Sequence, residues 1–188
     1  VMSGMELPLA VMITIPEPWA NNDTISQAKR DFYQYYATMM EPWDGPASIL
    51  FSDGDVMGAV LDRNGLRPSR YYITSDGYMI LSSEVGVLPI PEEKIVLKER
   101  LHPGKMLLVD TVKGKVIDDN ELKEGYAKMQ PYGEWLDSHL VQLKDIKIPN
   151  ERPEEYTPEQ RARLQKAFGY TYEQYRTSIR NMALNGAE

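Results

Sequence analysis

Residues 61 to 71 lie between two short apolar runs and read Leu61-Asp62-Arg63-Asn64-Gly65-Leu66-Arg67-Pro68-Ser69-Arg70-Tyr71. Asn64-Gly65 is a strong short-range signal for a tight turn, because both residue types adopt positive φ at low cost. The residues alone favour a hairpin whose arginines tie down the loop. The alternative is that backbone N–H groups and two guanidinium groups bind an anion or a carboxamide substrate.

Short strand patterns continue on both sides of this stretch, between residues 45 and 118. Each apolar run is followed by a turn signal such as Asp53-Gly54, Asp76-Gly77, Pro103-Gly104 or Lys113-Gly114. This spacing predicts consecutive antiparallel strands, a meander that forms one sheet-rich unit. The strands are expected at residues 47–52, 56–62, 69–74, 78–82, 95–98, 105–111 and 115–117.

Helical patterns precede the strands. Residues 9–15 are a continuous apolar run that fits a short buried strand or the end of a buried helix, and we favour the helix end. Residues 24–40 place apolar side chains three and four positions apart, which predicts an amphipathic helix. Asp23 or Thr24 is expected to cap its N-terminus, and Pro42 is expected to end it.

After residue 119 the sequence changes to charged helix formers. It predicts helices at 120–129 and 133–140, and residues 144–153 have the composition of a linker. Thr157-Pro158-Glu159-Gln160 combines an N-cap, a proline at the first helical position and an acidic first turn. A helix is therefore expected from there to Ala167, and a second from Thr171 to Leu184, with Asn185-Gly186 as its end.

Composition excludes several classes of function. The chain has 188 residues, of which 42% are apolar and 26% are charged, as in globular proteins. A net charge of −7 makes nucleic acid and anionic membranes poor partners. No apolar run reaches the length of a membrane span and the first residues are not a signal peptide, so we expect a cytoplasmic protein. The absence of cysteine removes disulfides and thiolate metal sites from these residues.

The isolated histidines and tryptophans suggest no chemistry. His102 and His139 are far apart in sequence and have no acidic cluster at ligand spacing, so they are expected to be solvated or locally bonded, and no metal is predicted. Trp19, Trp43 and Trp135 lie beside prolines or at helix edges and are interpreted as packing residues. Lys-Gly-Lys at 113–115 is interpreted as a hairpin turn, because it lacks the pattern of a phosphate loop.

The candidate site residues are assigned to ordering or supporting a loop, and no residue is assigned to catalysis. Glu84 follows a strand and is expected to pair with Arg67 or Arg70 through a charge-assisted contact. The full set is Asp62, Arg63, Asn64, Gly65, Arg67 and Glu84.

Four motifs, taken together in their order and spacing, resemble the large subunits of glutamate synthase. The similarity continues into Leu164-Gln165-Lys166-Ala167-Phe168-Gly169-Tyr170-Thr171 and so covers nearly the whole chain. The motifs are Met39-Met40-Glu41-Pro42-Trp43-Asp44-Gly45-Pro46-Ala47, Leu61-Asp62-Arg63-Asn64-Gly65-Leu66-Arg67-Pro68, Ser83-Glu84-Val85-Gly86-Val87-Leu88 and Leu101-His102-Pro103-Gly104-Lys105-Met106.

The resemblance implies an α+β chain that is part of an N-terminal-nucleophile hydrolase (αββα) fold with antiparallel sheets, followed by a helical linker region. Residues 1–125 are expected to be the C-terminal half of a class II glutamine amidotransferase domain. Residues 126–156 are then a linker, and residues 157–188 the helical start of the synthase's central domain. With only half of the domain present, apolar sheet faces or strand edges should be exposed, favouring dimers or aggregation.

The resemblance also implies the chemistry of the parent. In that family a cysteine at the mature N-terminus attacks glutamine, and ammonia travels to a flavin site, where 2-oxoglutarate becomes glutamate. FMN and an iron–sulfur cluster are implied for the full-length parent and no cofactor for this segment. None of the family's catalytic residues maps here, and Asn64-Gly65 is not its oxyanion-hole Asn-Gly, so the segment is expected to be inactive alone.

The implied partners are the rest of the glutamate synthase chain and, for the parent, glutamine and 2-oxoglutarate. An alternative is a stand-alone, non-catalytic binding or assembly module derived from the same domain. The sequence leaves open whether the electron donor is NADPH, NADH or ferredoxin.

Overall fold

A computed structural model describes residues 4–147 and 155–186 of the chain. The polypeptide divides into two compact units, an N-terminal unit of Val1–Leu140 and a C-terminal unit of Val141–Glu188. The helices of the N-terminal unit are α1 (Leu7–Thr14), α2 (Gln27–Ala37), α3 (Asp119–Ala127) and α4 (Tyr132–His139). Its strands are β1 (Ser48–Ser52), β2 (Val56–Leu61), β3 (Arg70–Thr74), β4 (Met79–Ser82), β5 (Ile95–Arg100), β6 (Met106–Asp110) and β7 (Lys115–Ile117).

The seven strands form two antiparallel sheets and not one meander. The four-stranded sheet has the order β1-β2-β6-β7 and the three-stranded sheet the order β4-β3-β5. The hairpins expected at Asp53-Gly54, Asp76-Gly77 and Lys113-Gly114 are confirmed. The chain crosses from one sheet to the other between β2 and β3 and returns between β5 and β6.

The hairpin expected at Asn64-Gly65 is wrong. A two-residue hairpin of the favoured type needs positive φ at both central residues. Gly65 has φ +61°, but Asn64 does not share this conformation. The dipeptide therefore lies within a longer crossing from β2 to β3, which pair with different neighbours.

A helical layer covers one face of the four-stranded sheet. α1 confirms the helical interpretation of the first apolar run. α2 is shorter than the pattern suggested at both ends. Ser26 and not Asp23 or Thr24 caps it, accepting a hydrogen bond from the backbone N–H of Lys29 at 3.2 Å, and the expected end at Pro42 is wrong, since the helix stops at Ala37. The helices and the sheet share one core, made of Leu9, Met12, Ile13, Phe32, Tyr33, Met106, Tyr126, Ala127 and Tyr132.

The opposite face of the four-stranded sheet packs on the three-stranded sheet. The shared core of the two sheets is small and consists of Ala59, Leu61, Leu101 and Leu107, with Tyr71, Met79 and Leu81 against them. Leu50, Met57 and Val116 lie in register with these strands but remain exposed. The expected exposure of apolar sheet surface is therefore observed. It arises because three strands cover only part of a four-stranded face.

The C-terminal unit consists of helices that are set by local signals. α5 (Pro158–Ala167) begins with the expected capping box of Thr157 and Gln160. A second helical segment comprises α6 (Tyr172–Gln174), a π-helical stretch at Tyr175–Ile179 and α7 (Arg180–Asn185). Gly186 ends this segment in the left-handed conformation. Both predicted helices are confirmed.

Part of the predicted linker, residues 148–154, lies outside the described residues. The predicted division at residue 125 concerns the family's domain and stays a prediction, while the compact N-terminal unit continues through α4. No helix in the described ranges is long and apolar enough to cross a membrane.

Candidate functional site

The loop that crosses from β2 to β3 is organised by the side chain of Asp62. One carboxylate oxygen accepts a hydrogen bond from the backbone N–H of Ala47 at 3.1 Å, and the other accepts one from Asn64 at 3.0 Å. Burial of Asp62 raises its pKa, but the backbone N–H groups of Ala47, Asn64, Gly65 and Leu66 favour the carboxylate and together lower the pKa below its ordinary value. Asp62 thus fixes the start of the crossing.

Gly65 is required by its position as well as by its backbone conformation. A Cβ atom added to Gly65 would lie 2.5 Å from Cγ of Pro103, which belongs to the crossing from β5 back to β6. The two crossings between the sheets therefore pack directly on each other. The sequence indicated a turn here, but not that two distant turns meet.

The remaining predicted residues contribute contacts at the surface. Arg63 forms an ion pair with Asp44 at 3.3 Å, and Nε of Arg67 donates a hydrogen bond to the carbonyl oxygen of Pro46 at 3.5 Å. The expected pairing of Glu84 with Arg67 or Arg70 is wrong, since no such ion pair occurs in the part of the chain that the structure describes. The backbone carbonyl of Glu84 instead accepts a hydrogen bond from the hydroxyl of Ser82.

Arg63 also lines an open cavity of about 430 Å³. The walls come from the segment after α1, from the segment before β1 and from the crossing loop. Trp43 is half exposed there, so its interpretation as a packing residue is wrong, and its indole N–H donates to the carbonyl of Gly45 at 3.2 Å. The lining residues are Ile15, Pro16, Glu17, Pro18, Trp19, Ala20, Glu41, Pro42, Trp43, Asp44 and Arg63.

Glu17 connects this cavity to a buried network of charges that sequence reasoning missed. Its Oε1 lies 3.3 Å from Nζ of Lys29 and accepts a hydrogen bond from the hydroxyl of Tyr33 at 3.1 Å. Its Oε2 lies 3.7 Å from Nζ of Lys123. Glu17, Lys29, Tyr33 and Lys123 are all buried. A signal for Lys29 existed, because it precedes Phe32 and Tyr33 by three and four residues and so shares their helical face.

The second half of the network surrounds Lys123 on α3. Its ammonium group donates a hydrogen bond to the carbonyl of Gly104 at 2.6 Å and lies 2.7 Å from a carboxylate oxygen of Asp119. Asp119 also accepts a hydrogen bond from the backbone N–H of Met106 at 2.8 Å and pairs with Lys105 at 2.9 Å. Two buried lysines thus face two carboxylates, so the buried charges balance.

The network changes the acidity of its members. Burial and the charge of Glu17 raise the pKa of Tyr33 far above its ordinary value, so this phenol stays protonated. Burial of Asp119 raises its pKa, but the charge and hydrogen bond of Lys123, together with the hydrogen bonds from Met106 and Lys105, outweigh burial and lower it. The hydrogen bond to Asp119 raises the pKa of Lys105. These three pKa shifts keep the Tyr33 phenol protonated, the Asp119 carboxylate ionised and the Lys105 ammonium charged, which suits a network that fixes loops.

Among the other predicted residues, Trp19 lies beside the network, because its ring stacks on that of Tyr33 with 6.4 Å between the ring centroids. Trp19 and Trp135 pack against the helical core, as expected. His102 lies 3.5 Å from Glu99, and Nδ1 of His139 lies 3.0 Å from the carbonyl oxygen of Trp135. Among the residues that the structure describes, no group of three or more His, Asp or Glu side chains is placed to hold a metal ion.

The fold and the cluster define an α+β protein in which two antiparallel sheets pack together, one of them covered by helices. The chain belongs to the class-II glutamine amidotransferase family, whose members match residues 1–135.

The chain is similar to glutamate synthases from several kingdoms. It is 51% identical over 173 residues to the large chain of the NADPH-dependent glutamate synthase of Bacillus subtilis. The aligned region covers 92% of this chain and 11% of that protein. The chain is 45% identical over 194 residues to the NADH-dependent enzyme of Schizosaccharomyces pombe, covering 98% of this chain and 9% of that protein.

The chain is similar at nearly the same percentage identity to a ferredoxin-dependent enzyme. The chain is 44% identical over 191 residues to glutamate synthase 1 of Arabidopsis thaliana, covering all of this chain and 12% of that protein. The chain therefore spans about a tenth of the length of these curated relatives.

Proposed function

We propose that this chain is a segment of a glutamate synthase, in which a glutaminase domain releases ammonia from glutamine for the reductive synthesis of glutamate from 2-oxoglutarate. The observation that carries the proposal is the extent of the similarity. The amidotransferase family matches residues 1–135, whereas the alignment with the Arabidopsis enzyme covers the whole chain. Similarity past the family's boundary favours glutamate synthases over other glutamine amidotransferases.

Within that parent, the segment supplies the C-terminal half of the amidotransferase domain and the helical start of the central domain. Two antiparallel sheets with helices on one outer face fit three of the four layers of an αββα fold. The exposed apolar residues Leu50, Met57 and Val116 support this proposal, because they offer a surface that further strands of a larger fold would bury.

The role of this segment is to hold the loops of the domain. Asp62, Gly65 and Pro103 join the two crossings between the sheets, and Glu17 and Lys123 join the segment after α1 to the same region. Attack on an amide carbonyl needs a nucleophile with a base beside it. The proposal places both outside this chain, which on its own is expected to release no ammonia.

The parent's cofactors are proposed to bind outside this segment. Iron–sulfur clusters are held by cysteine thiolates, and this sequence has no cysteine. The chain's residues therefore do not fit such a cluster, and no role toward FMN is assigned to any of them.

The first experiment is the intact mass of the native polypeptide, captured from source cells with an antibody against residues 126–188. A mass several times 21.5 kDa is expected if the segment belongs to a synthase. A mass near 21.5 kDa would contradict the proposal and favour the stand-alone module.

The second experiment measures ammonia release from glutamine by the native polypeptide and by purified residues 1–188. Release by the native polypeptide alone is the expected result. Steady release by the purified segment, at a rate that follows its concentration, would show that the reacting groups lie within it.

A further inference from the structure

Trp19 and Tyr33 form a pair of stacked rings between the open cavity and the helical core. Their ring centroids are 6.4 Å apart, and the planes of the two rings are inclined by 21°. Trp19 is half-buried and lines the cavity, whereas Tyr33 is 3% exposed. A dissolved reagent therefore reaches Trp19 from the cavity, but it acts on Tyr33 only through the indole ring.

The phenol of Tyr33 has a fixed proton acceptor beside it. Its hydroxyl donates a hydrogen bond to Oε1 of Glu17 at 3.1 Å, a distance at which a proton can be transferred. The ammonium groups of Lys29 and Lys123 lie 3.3 Å and 3.7 Å from this carboxylate and hold it in position. Burial and the charge of Glu17 raise the pKa of Tyr33, so the phenol keeps its proton until the ring is oxidised.

A stacked indole and a phenol with a base beside it can exchange one electron. Both rings are among the side chains most easily oxidised by one electron. An oxidised phenol is a strong acid, so it forms readily only when its proton leaves at the same time. An indole loses an electron without this requirement. An oxidised tryptophan therefore takes an electron from a neighbouring tyrosine most readily where the tyrosine hydroxyl already donates to a carboxylate.

Tyr33 is the only tyrosine with both features in the part of the chain that the structure describes. The hydroxyl of Tyr126 donates to a carboxylate at 2.6 Å, but no tryptophan ring within residues 4–147 and 155–186 pairs with that phenol. Tyr35 and Tyr132 pair with the ring of Trp135 at 5.2 Å and 5.6 Å, but neither hydroxyl donates to a carboxylate of a described residue. The combination at Tyr33 is therefore specific to the boundary of the open cavity.

We propose that Trp19, Tyr33 and Glu17 form a radical-transfer site that repairs the one-electron oxidation of Trp19. A small diffusing radical removes one electron from the indole and leaves a radical cation. Tyr33 then gives one electron to the indole, which becomes neutral tryptophan again, and the phenolic proton passes to Oε1 of Glu17. The site now holds a neutral tyrosyl radical and a protonated carboxyl group. A reductant such as ascorbate returns one electron through Trp19, and the proton returns to Tyr33.

Phe32 keeps the radical at Tyr33. Its ring lies edge-on to the ring of Tyr33, with 5.2 Å between the centroids, and it is 0% exposed. A benzene ring is harder to oxidise than a phenol, so the radical does not move onto Phe32 and from there into the core. The inference rests on these ring contacts and on the hydrogen bond to Glu17, and it does not depend on the assignment to glutamate synthase.

The test compares the oxidation of two tryptophans that line the same cavity. Trp43 is 53% exposed there, and in the part of the chain that the structure describes it pairs with no tyrosine ring. Azide radicals, which are neutral one-electron oxidants, are generated by γ-radiolysis in an aerated solution of the native full-length polypeptide. Peptide mass spectrometry then measures the oxygen added to each indole. In the Tyr33→Phe variant the products at Trp19 are expected to rise severalfold, while those at Trp43 stay unchanged.

A matched variant and a second oxidant separate radical transfer from a change in structure. Tyr126→Phe also removes a buried phenol that donates to a carboxylate, and it should leave the products at Trp19 unchanged. N-bromosuccinimide oxidises indoles by a two-electron route and so reports only how accessible each indole is. Its reaction with Trp19 should be the same with and without the Tyr33→Phe substitution.

Solvent deuterium tests the proton transfer without a substitution. In heavy water the phenol carries a deuteron, and its transfer to Glu17 is slower. The ratio of products at Trp19 to products at Trp43 should therefore rise in the unsubstituted protein and not in Tyr33→Phe. The inference is overturned by unchanged products at Trp19 in Tyr33→Phe, by an equal rise in Tyr126→Phe or with N-bromosuccinimide, or by the absence of a deuterium effect.

Discussion

The N-terminal and C-terminal units of this chain specify their structure in different ways. In the N-terminal unit, residues such as Phe32 and Lys123 are almost fully buried and contact segments that are distant in sequence. In the described part of the C-terminal unit no residue is buried, and α5 and α6 each begin at a capping box. Local hydrogen bonds define helix ends, but only shared burial joins strands and loops into a core. The two units should therefore respond differently to the same kind of change.

Core truncation gives the largest expected difference. Phe32 is 0% exposed and packs against Tyr33, Tyr36 and Tyr132, so Phe32→Ala should destabilise the N-terminal unit by about 3–5 kcal/mol. Phe168 is 73% exposed, and Phe168→Ala should change stability by about 0.5 kcal/mol or less. Urea unfolding monitored by tyrosine and tryptophan fluorescence measures both. Equal effects would contradict the difference in burial between Phe32 and Phe168.

Removal of a buried charge comes next. Lys123→Met should cost about 3 kcal/mol, because Glu17 and Asp119 are left buried without this partner. The control is Lys128→Met, which breaks a surface pair with Glu124 at 2.9 Å on the same helix and should cost about 0.5 kcal/mol or less. Denaturant midpoints at constant slope give both values. Similar midpoints would show that the buried network contributes no more than a surface pair.

Loss of an aspartate acceptor should destabilise the crossing loop more than it destabilises an exposed hairpin with similar hydrogen bonds. Asp62→Ala leaves the backbone N–H groups of Ala47 and Asn64 without an acceptor and should cost about 2 kcal/mol. Asp53 accepts from two backbone N–H groups in the exposed β1–β2 hairpin, so Asp53→Ala should cost about 1 kcal/mol or less. Thermal unfolding compares the two variants, and an equal loss would assign Asp62 an ordinary turn role.

The two units should differ in their stability to acid, because the N-terminal unit depends on ionised carboxylates. The pKa values of Asp62 and Asp119 are lowered on folding, so their contribution is fully present above the ordinary value of 3.8 and is lost as pH falls through the lowered values. Each pKa unit of lowering is worth about 1.4 kcal/mol. The capping boxes of Thr157 and Thr171 use neutral side chains. In an acid titration from pH 5 to pH 2 that is followed by circular dichroism, the N-terminal unit should therefore unfold first.

The smallest effect is expected at a helix cap. Thr157→Ala removes the side-chain acceptor for the backbone N–H of Gln160 and should destabilise α5 by about 1 kcal/mol. Hydrogen exchange should accelerate in α5 and stay unchanged in α2. Faster exchange in α2 as well would show that the cap stabilises more than its own helix.

The features that the sequence predicted correctly are mostly those set by neighbouring residues. The cap at Thr157, the start of a helix at Thr171 and the end at Gly186 were all predicted, because each depends on a few adjacent residues. The N-cap of α2 was misplaced, because Asn22 bonds to Thr24 and leaves Ser26 to cap the helix. The hairpins at Gly54, Gly77 and Gly114 were also correct, since turn residues act locally.

The candidate site was predicted in part. The sequence singled out Asp62 and Gly65 as loop residues, and the structure gives each a defined contact. It did not indicate Glu17 or Lys123, because a charged residue is normally assigned to the surface. The partner expected for Glu84 was wrong, since proximity in sequence does not determine which arginine a carboxylate reaches.

The sequence by itself determined the elements, their local ends and the resemblance to glutamate synthases, because periodicity, turn chemistry and motifs are properties of neighbouring residues. Only the tertiary structure decided that the strands form two sheets and that Pro103 packs on Gly65. It also decided that Glu17 meets Lys123 in the interior. The physical reason is that strand pairing and burial depend on contacts between distant residues, which many registers of the same local pattern could satisfy.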